Sequence, residues 1–158
     1  MEAILGKPLE GCGVIYLALY ARFEPGPSAP RAPRTLIADD HVPTRARVRV
    51  VLEQAGFEVC AEAGNARAAV KAAVRERPDI CLLDINMPGG GITAAAEIRA
   101  RLPETLVVML TVSSDEKDIS ESLRAGATGY LLKDMDFAQI PATLRAALAG
   151  EPTPPRGL

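Results

Sequence analysis

From residue 34 onward, short apolar runs alternate with longer amphipathic stretches, and this rhythm dominates the chain. The runs TLIA (35–38), FEVCA (57–61), DICLL (79–83), TLVVML (105–110) and YLL (130–132) have the length and composition of strands. DICLL and TLVVML are almost wholly apolar, as expected of strands covered on both faces. The stretches between them carry helical signals. Pro43 opens a first helix to about Ala55, with Val48, Val51, Leu52 and Ala55 on one face, and Gly56 stops it. Asn65 caps a second helix that ends near Arg77, ahead of Pro78. Met87 to Gly91 read as a loop, Ile92 to Leu102 as a third helix and Ser114 to Ala125 as a fourth. Asp136 caps a fifth, where Ile140, Leu144, Ala147 and Leu148 share a face until Gly150.

Five strand–helix units in succession predict an α/β fold with an all-parallel sheet, because each parallel crossover needs a helix. The expected form is flavodoxin-like: a doubly wound five-stranded parallel sheet, order 2-1-3-4-5, with helices on both faces. A closed barrel would need eight units. In this order strands one and three are neighbours at the switch point where such sheets place their sites.

The repeating domain is expected over residues 34–150. Residues 1–33 differ in character, since EPGPSAPRAPR (24–34) is rich in proline with glycine and serine. They are expected to be an N-terminal extension and Pro-rich linker outside the fold. Residues 151–158 are expected to be a C-terminal linker or tail, with no output domain in this chain. The 158 residues, 48% hydrophobic, suffice for one buried core. A net charge of −2 supplies no global basic field, though it leaves room for a local patch; Pro152 to Leu158 are too few for a helix-turn-helix module, so direct nucleic-acid binding by this chain is not expected. Cys12, Cys60 and Cys81 form no CxxC pair and no zinc spacing, which suits reduced thiols and a cytoplasmic location. The apolar segment 13–21 is too short to span a bilayer, and Glu2 and Glu10 outweigh Lys7 before it, so neither membrane anchor nor signal peptide is expected.

Charge matters more locally. Asp39, Asp40, Asp84, Thr111 and Lys133 each stand at the end of an apolar run, and side chains at the carboxyl ends of parallel strands share one crevice. Asp40 and Asp84 are the best carboxylate ligands for a hard divalent cation, with Asp39 beside them. A main-chain carbonyl near Asn86 offers one more oxygen. Three close carboxylates raise one another's pKa, which favours a bound cation. Lys133 can pair with Asp84, or with a phosphoryl group placed on it, and Thr111 supplies a hydroxyl donor. Together they make a phosphoryl-acceptor site with Asp84 as nucleophile. Taken singly, the aspartates read equally as caps or turn residues, and the weight lies in the ordered set. His41, the sole histidine, reads as solvated or salt-bridged rather than catalytic.

The pieces LIADDH, LLDINMPGGG, VVMLTVSS and GATGYLLKD, in that order, resemble a response-regulator receiver domain of two-component signalling, over Arg34 to about Gly150. LRAALAGE (144–151) is similar to the receivers of LuxR/NarL-type transcription regulators. The resemblance implies a phosphoryl group accepted on Asp84 from a sensor histidine kinase. It implies Mg²⁺ (or Mn²⁺) held by Asp39, Asp40, Asp84 and the Asn86 carbonyl, with Lys133 and Thr111 assisting. It also implies a switch through Thr111 and Tyr130 that remodels the face of the fourth helix, fifth strand and fifth helix. Asn86 and Ser113 would tune dephosphorylation. Homodimers would form through helices one and five or through the switching face, and a DNA-binding output domain would lie outside this chain. Catalysis would be limited to self-phosphorylation and autodephosphorylation. The Gly89-Gly90-Gly91 run departs from the usual mixed loop and is expected to loosen it.

Two other readings share parts of this pattern. A haloacid-dehalogenase-type phosphatase needs an acid two residues after the nucleophile, where Asn86 stands and cannot deliver a proton, and uses its first strand rather than the third. A stand-alone or degenerate receiver acting as an interaction module is the alternative, and the complete acidic set with Thr111 and Lys133 argues against degeneracy.

Overall fold

The structure is a computed structural model and describes residues 31–151 and, as backbone, 153–156. The expectations for residues 1–30, Cys12 among them, lie outside the described residues. The elements run β1 (Arg34–Ala38), α1 (Val42–Gln54), β2 (Glu58–Ala63), α2 (Ala66–Glu76), β3 (Ile80–Leu83), α3 (Gly91–Arg101), β4 (Leu106–Thr111), α4 (Glu116–Arg124), β5 (Gly129–Leu132), a 3₁₀ turn (Phe137–Gln139), α5 (Ile140–Leu148) and β6 (Thr153–Arg156). The sheet order is β2-β1-β3-β4-β5-β6, parallel throughout. The expected 2-1-3-4-5 order is therefore present, extended by one strand at the β5 edge. Beyond Gly150, where a linker or tail was expected, Thr153 pairs with Gly129 and Arg156 with Leu131. Pro154 and Pro155 cannot donate to a ladder, which an edge strand tolerates.

Strand side chains alternate between two layers of core, as the period of two dictates. Leu36, Ala38, Cys81, Leu83, Val107, Met109 and Tyr130 pack with Ala69, Ala73, Ala95, Ile98 and Ile119 of α2, α3 and α4. Ile37, Ile80, Leu82, Val108, Leu110 and Leu131 pack with Val48, Leu52, Ile140 and Leu144 of α1 and α5. The alanines let α2 and α3 lie close to the sheet, which accounts for a core with few aromatics.

Most boundaries match the sequence pattern, with a few corrections. His41 rather than Pro43 marks the start of α1: its Nδ1 accepts from the Thr44 amide at 3.3 Å and meets Thr44 Oγ1 at 2.7 Å, an N-cap. Asn65 caps α2 as expected, accepting from Ala68 N at 2.8 Å. Asp136 does cap, but it caps the 3₁₀ turn that precedes α5. Leu148 is exposed, because the apolar cluster on that face takes Ile140 and Leu144 and does not reach the last turn. β2 continues to Ala63, past the expected Ala61, with a bulge where Cys60 slips between Val59 and Ala61 in the pairing with β1. No helix among the described residues is long and apolar enough to cross a membrane.

Candidate functional site

The ends of β1, β3, β4 and β5 meet at one edge of the sheet. β1 pairs with both β2 and β3, so the residues just past Ala38 and Leu83 emerge side by side. Asp84 N donates to Ala38 O at 2.9 Å, and Asp39 N donates to Ala63 O at 2.9 Å. One oxygen each of Asp39, Asp40 and Asp84 lies within 4.8 Å of the others, with Asp39 and Asp84 buried and Asp40 exposed.

Lys133 follows β5 directly and reaches into this cluster. Its Nζ lies 2.7 Å from Asp39 Oδ2 and 3.4 Å from Asp84 Oδ2. The sequence suggested Asp84 as its partner, whereas the shorter pairing is with Asp39. Asp39 Oδ1 also accepts from the His41 amide at 2.8 Å. Asp84 is left less satisfied: its Oδ1 is buried with no hydrogen-bond partner among the described residues. Burial pushes the Asp84 carboxyl above the ordinary aspartate range, Lys133 opposes that shift, and the Asp39 charge adds to it. Of the mutual repulsion expected from sequence, only this smaller contribution appears, and burial leads.

The other predicted residues surround the pair. Thr111 ends β4, fully buried, and its Oγ1 accepts from Ser113 N at 3.3 Å. The Lys133 amide donates to Thr111 O at 2.8 Å, tying the two strand ends together. Tyr130 is 1% exposed and donates its hydroxyl to Ser113 O at 2.8 Å. Ser113 Oγ in turn contacts Asp118 Oδ2 on α4 at 2.5 Å. Asn86 is exposed, two residues past Asp84, and its main-chain N–H works against the upward shift of the Asp84 carboxyl.

The glycine run is not a loose segment. Gly89 and Gly90 take φ of +89° and +85°, which glycine adopts without strain. A Cβ on Gly91 would stand 2.0 Å from Asp84 O, so the start of α3 packs directly onto the backbone of Asp84. Sequence reasoning missed this approach and also missed Arg45, whose guanidinium donates to Asp39 O at 2.7 Å. Both depend on neighbours that only the fold brings together, and no local signal marks either.

Comparison with known proteins agrees with this geometry. Residues 35–145 match the family described as the response regulator receiver domain. The chain belongs to that family. The receiver is 39% identical over 120 residues to the "Uncharacterized transcriptional regulatory protein YxjL" of Bacillus subtilis (strain 168), covering 75% of this chain and 55% of that protein. It is 36% identical over 118 residues to the "Nitrate/nitrite response regulator protein NarL" of Escherichia coli (strain K12), covering 73% of this chain and 55% of that protein. Thus the chain spans about half the length of the curated relatives it matches. Among solved structures it superposes on the signal receiver domain of the putative response regulator NarL from Mycobacterium tuberculosis with a TM-score of 0.73 and 31% identity, over 77% of this chain and 100% of that one. Receivers of this family are signalling domains rather than enzymes of the usual kind, and they interact with histidine kinases. The acidic cluster here is one that could hold a metal ion.

Proposed function

We propose that this receiver accepts a phosphoryl group on Asp84 from a sensor histidine kinase and passes the event to its α4–β5–α5 face. The observation that carries the reading is the buried, unpartnered Oδ1 of Asp84, set beside a lysine that neutralises the neighbouring carboxylates. An orphaned anionic oxygen inside a protein is costly unless something arrives to meet it.

The residues fit a hard divalent cation: the donors are all oxygens, two of them largely shielded from water, and the orphan points to a missing partner. Asp39, Asp40, Asp84 and the Asn86 carbonyl would hold Mg²⁺ (or Mn²⁺). When bound, the cation supplies positive charge to the carboxylates and to the incoming phosphoryl oxygens.

This chain's own residues do the rest. Asp84, ionised, forms the new O–P bond as the P–N bond of the donor phosphohistidine breaks and the imidazole leaves with its electron pair. Lys133 exchanges a carboxylate for a phosphoryl oxygen. Thr111 donates its hydroxyl to another, and in moving it disturbs the Ser113 segment on which Tyr130 rests. Phosphorylation thereby biases the β4–α4 loop and α4 between two arrangements. Asn86 and Ser113, flanking the acceptor and Thr111, set how fast water removes the group. Turnover beyond self-phosphorylation and autodephosphorylation is not part of this reading.

The relatives are about twice as long and one is named a transcriptional regulatory protein, which favours a transcription-controlling, DNA-binding output module for this receiver. The receiver itself touches no nucleic acid in this reading. Exposed Val50 on α1, Leu148 on α5 and Leu123 on α4 suit homodimerisation through α1 and α5 or through the α4–β5–α5 face.

Acetyl phosphate with Mg²⁺ tests the core of the proposal. The wild-type chain should gain about 80 Da, the mass of one phosphoryl group, and Asp84→Asn should gain none. Equal labelling of a folded Asp84→Asn variant would remove Asp84 from the role. A wild type that takes no label from acetyl phosphate or from any histidine kinase would favour the interaction-module alternative.

A further inference from the structure

Asp39 is held by every polar atom it has. Its amide donates to Ala63 O, its Oδ1 accepts from His41 N, its Oδ2 meets Lys133 Nζ, and its carbonyl accepts from Arg45. Three of these contacts come from the chain around the crevice itself. The fourth comes from the side of α1, and it acts on the peptide plane that joins Asp39 to Asp40.

That plane decides where Asp40 points. Asp40 is exposed, and among the described residues no side-chain hydrogen bond or ion pair fixes its carboxylate. Rotation of the 39–40 peptide would swing the carboxylate away from the oxygens of Asp39 and Asp84. Arg45 Nη1 resists that rotation from 2.7 Å. The guanidinium is itself braced: its Nε pairs with Glu62 Oε1 on β2 at 3.0 Å, and Glu62 also receives Arg49. Arg45 and Glu62 side chains are only 20% and 27% exposed, so the brace is partly shielded from solvent. A planar fork of donors suits holding a carbonyl and a carboxylate at once, which a lysine does poorly.

We infer that Arg45 is a positioning residue for cation binding: braced by Glu62, it fixes the Asp39–Asp40 peptide so that Asp40 stays aimed at the acidic cluster. The inference rests on the proposed reading of that cluster. The competing view is that Arg45 merely staples α1 to β2, in which case its loss lowers stability and leaves cation affinity alone.

Isothermal titration of the whole chain with Mg²⁺ separates the two, with thermal melts in EDTA run alongside. Arg45→Met should weaken Mg²⁺ binding by about tenfold, the lower end for residues that orient metal ligands. In acetyl phosphate labelling it should raise the half-saturating Mg²⁺ concentration by a similar factor while the rate at saturating Mg²⁺ holds. Arg45→Lys should fall between Met and wild type. Unchanged Mg²⁺ affinity in Arg45→Met, with only a lower melting temperature, would overturn the inference. Should Arg45→Met fail to fold, Glu62→Gln loosens the brace without touching Asp39. It should then show the same loss in smaller measure, and wild-type affinity there would equally overturn it. A wild type with no Mg²⁺ site dependent on Asp84 would defeat the underlying reading; a wild type that binds while Arg45→Met binds as tightly would defeat only the role of Arg45.

Discussion

Replacing Lys133 with methionine puts the electrostatics of the acidic crevice to a direct test. The ammonium sits 2.7 Å from one carboxylate and 3.4 Å from another, and its side chain is 14% exposed against 4% and 5% for its partners. With an effective dielectric of about 20, Coulomb attraction at these distances is roughly 5–6 kcal/mol to each carboxylate. Loss of water by three charged groups offsets most of that, so the net value of the cluster is small. Removal of the cation alone is a different matter. It leaves Asp39 and Asp84 facing each other with neither solvent nor counter-charge, at a cost of about 3–5 kcal/mol. Against a total stability of about 5–15 kcal/mol, this lowers the melting point of a domain this size by roughly 10–20 °C. Urea melts at pH 7 in EDTA read the loss. Mg²⁺ should restore much of it, since a second cation replaces the first. Acid should narrow the gap too. With Lys133 gone, the Asp84 carboxyl loses the charge that opposes its upward shift, so its folded pKa lies still further above its unfolded one. Its contribution is then fully present below the unfolded pKa and lost as pH rises through the folded one. A loss under about 1 kcal/mol at pH 7, as for an exposed pair, would refute the reasoning. So would a loss indifferent to both Mg²⁺ and pH.

Asp84→Asn removes a carboxyl that burial holds above its ordinary pKa, so by the same sign the metal-free variant should be more stable than wild type at pH 7. The margin should close as pH falls through about 4, the usual aspartate range, and a margin independent of pH in urea melts would contradict this. Tyr130→Phe deletes the hydroxyl bond to Ser113 O and should cost about 1 kcal/mol. It should also raise amide exchange over residues 112–115, and unchanged exchange there would separate Tyr130 from the loop. Gly91→Ala forces a methyl against Asp84 O; about 1–3 kcal/mol of stability and a slower phosphoryl uptake are expected, and wild-type values for both would disprove the close approach.

The layered fold was legible because strands covered on both faces and helices with one apolar face leave different periodicities. The alternation that sends Leu36 and Ala38 to one side of the sheet and Ile37 to the other is written in the chain itself. Strand ends were legible for the same reason, since Asp39, Asp84, Thr111 and Lys133 each close an apolar run. What stayed hidden depends on neighbours distant in sequence. Arg45 looks like any helix-surface arginine until β2 brings Glu62 alongside it. Gly91 looks like one of three loop glycines until α3 settles on Asp84. His41 displaced the expected Pro43 start because its ring nitrogen happens to reach the Thr44 amide, a rarer cap than serine or aspartate. The β6 segment, with two prolines, has no strand signal of its own and is drawn into place by the open edge of β5.

The unequal distances from Lys133 carry a consequence for how such a site rests and responds. A lysine gripping Asp84 as tightly as it grips Asp39 would occupy the oxygens that attack phosphorus in the proposed role. A lysine absent altogether would leave buried carboxylates that the fold could hold only by taking up protons, and a protonated Asp84 is a poor nucleophile. Holding Asp39 at 2.7 Å and Asp84 at 3.4 Å lowers the repulsion while leaving Asp84 Oδ1 free. Tyr130 sits on β5 three residues before Lys133, which follows the strand, and its hydroxyl is tied to the loop that follows Thr111. A phosphoryl group on Asp84 would draw on Lys133 and Thr111 together. Both ends of the Tyr130 neighbourhood would then shift at once, and the buried hydroxyl, which must keep an acceptor, would have to follow Ser113 or find another. In the proposed switch that requirement, more than any single contact, would let a change at one carboxylate be felt on α4.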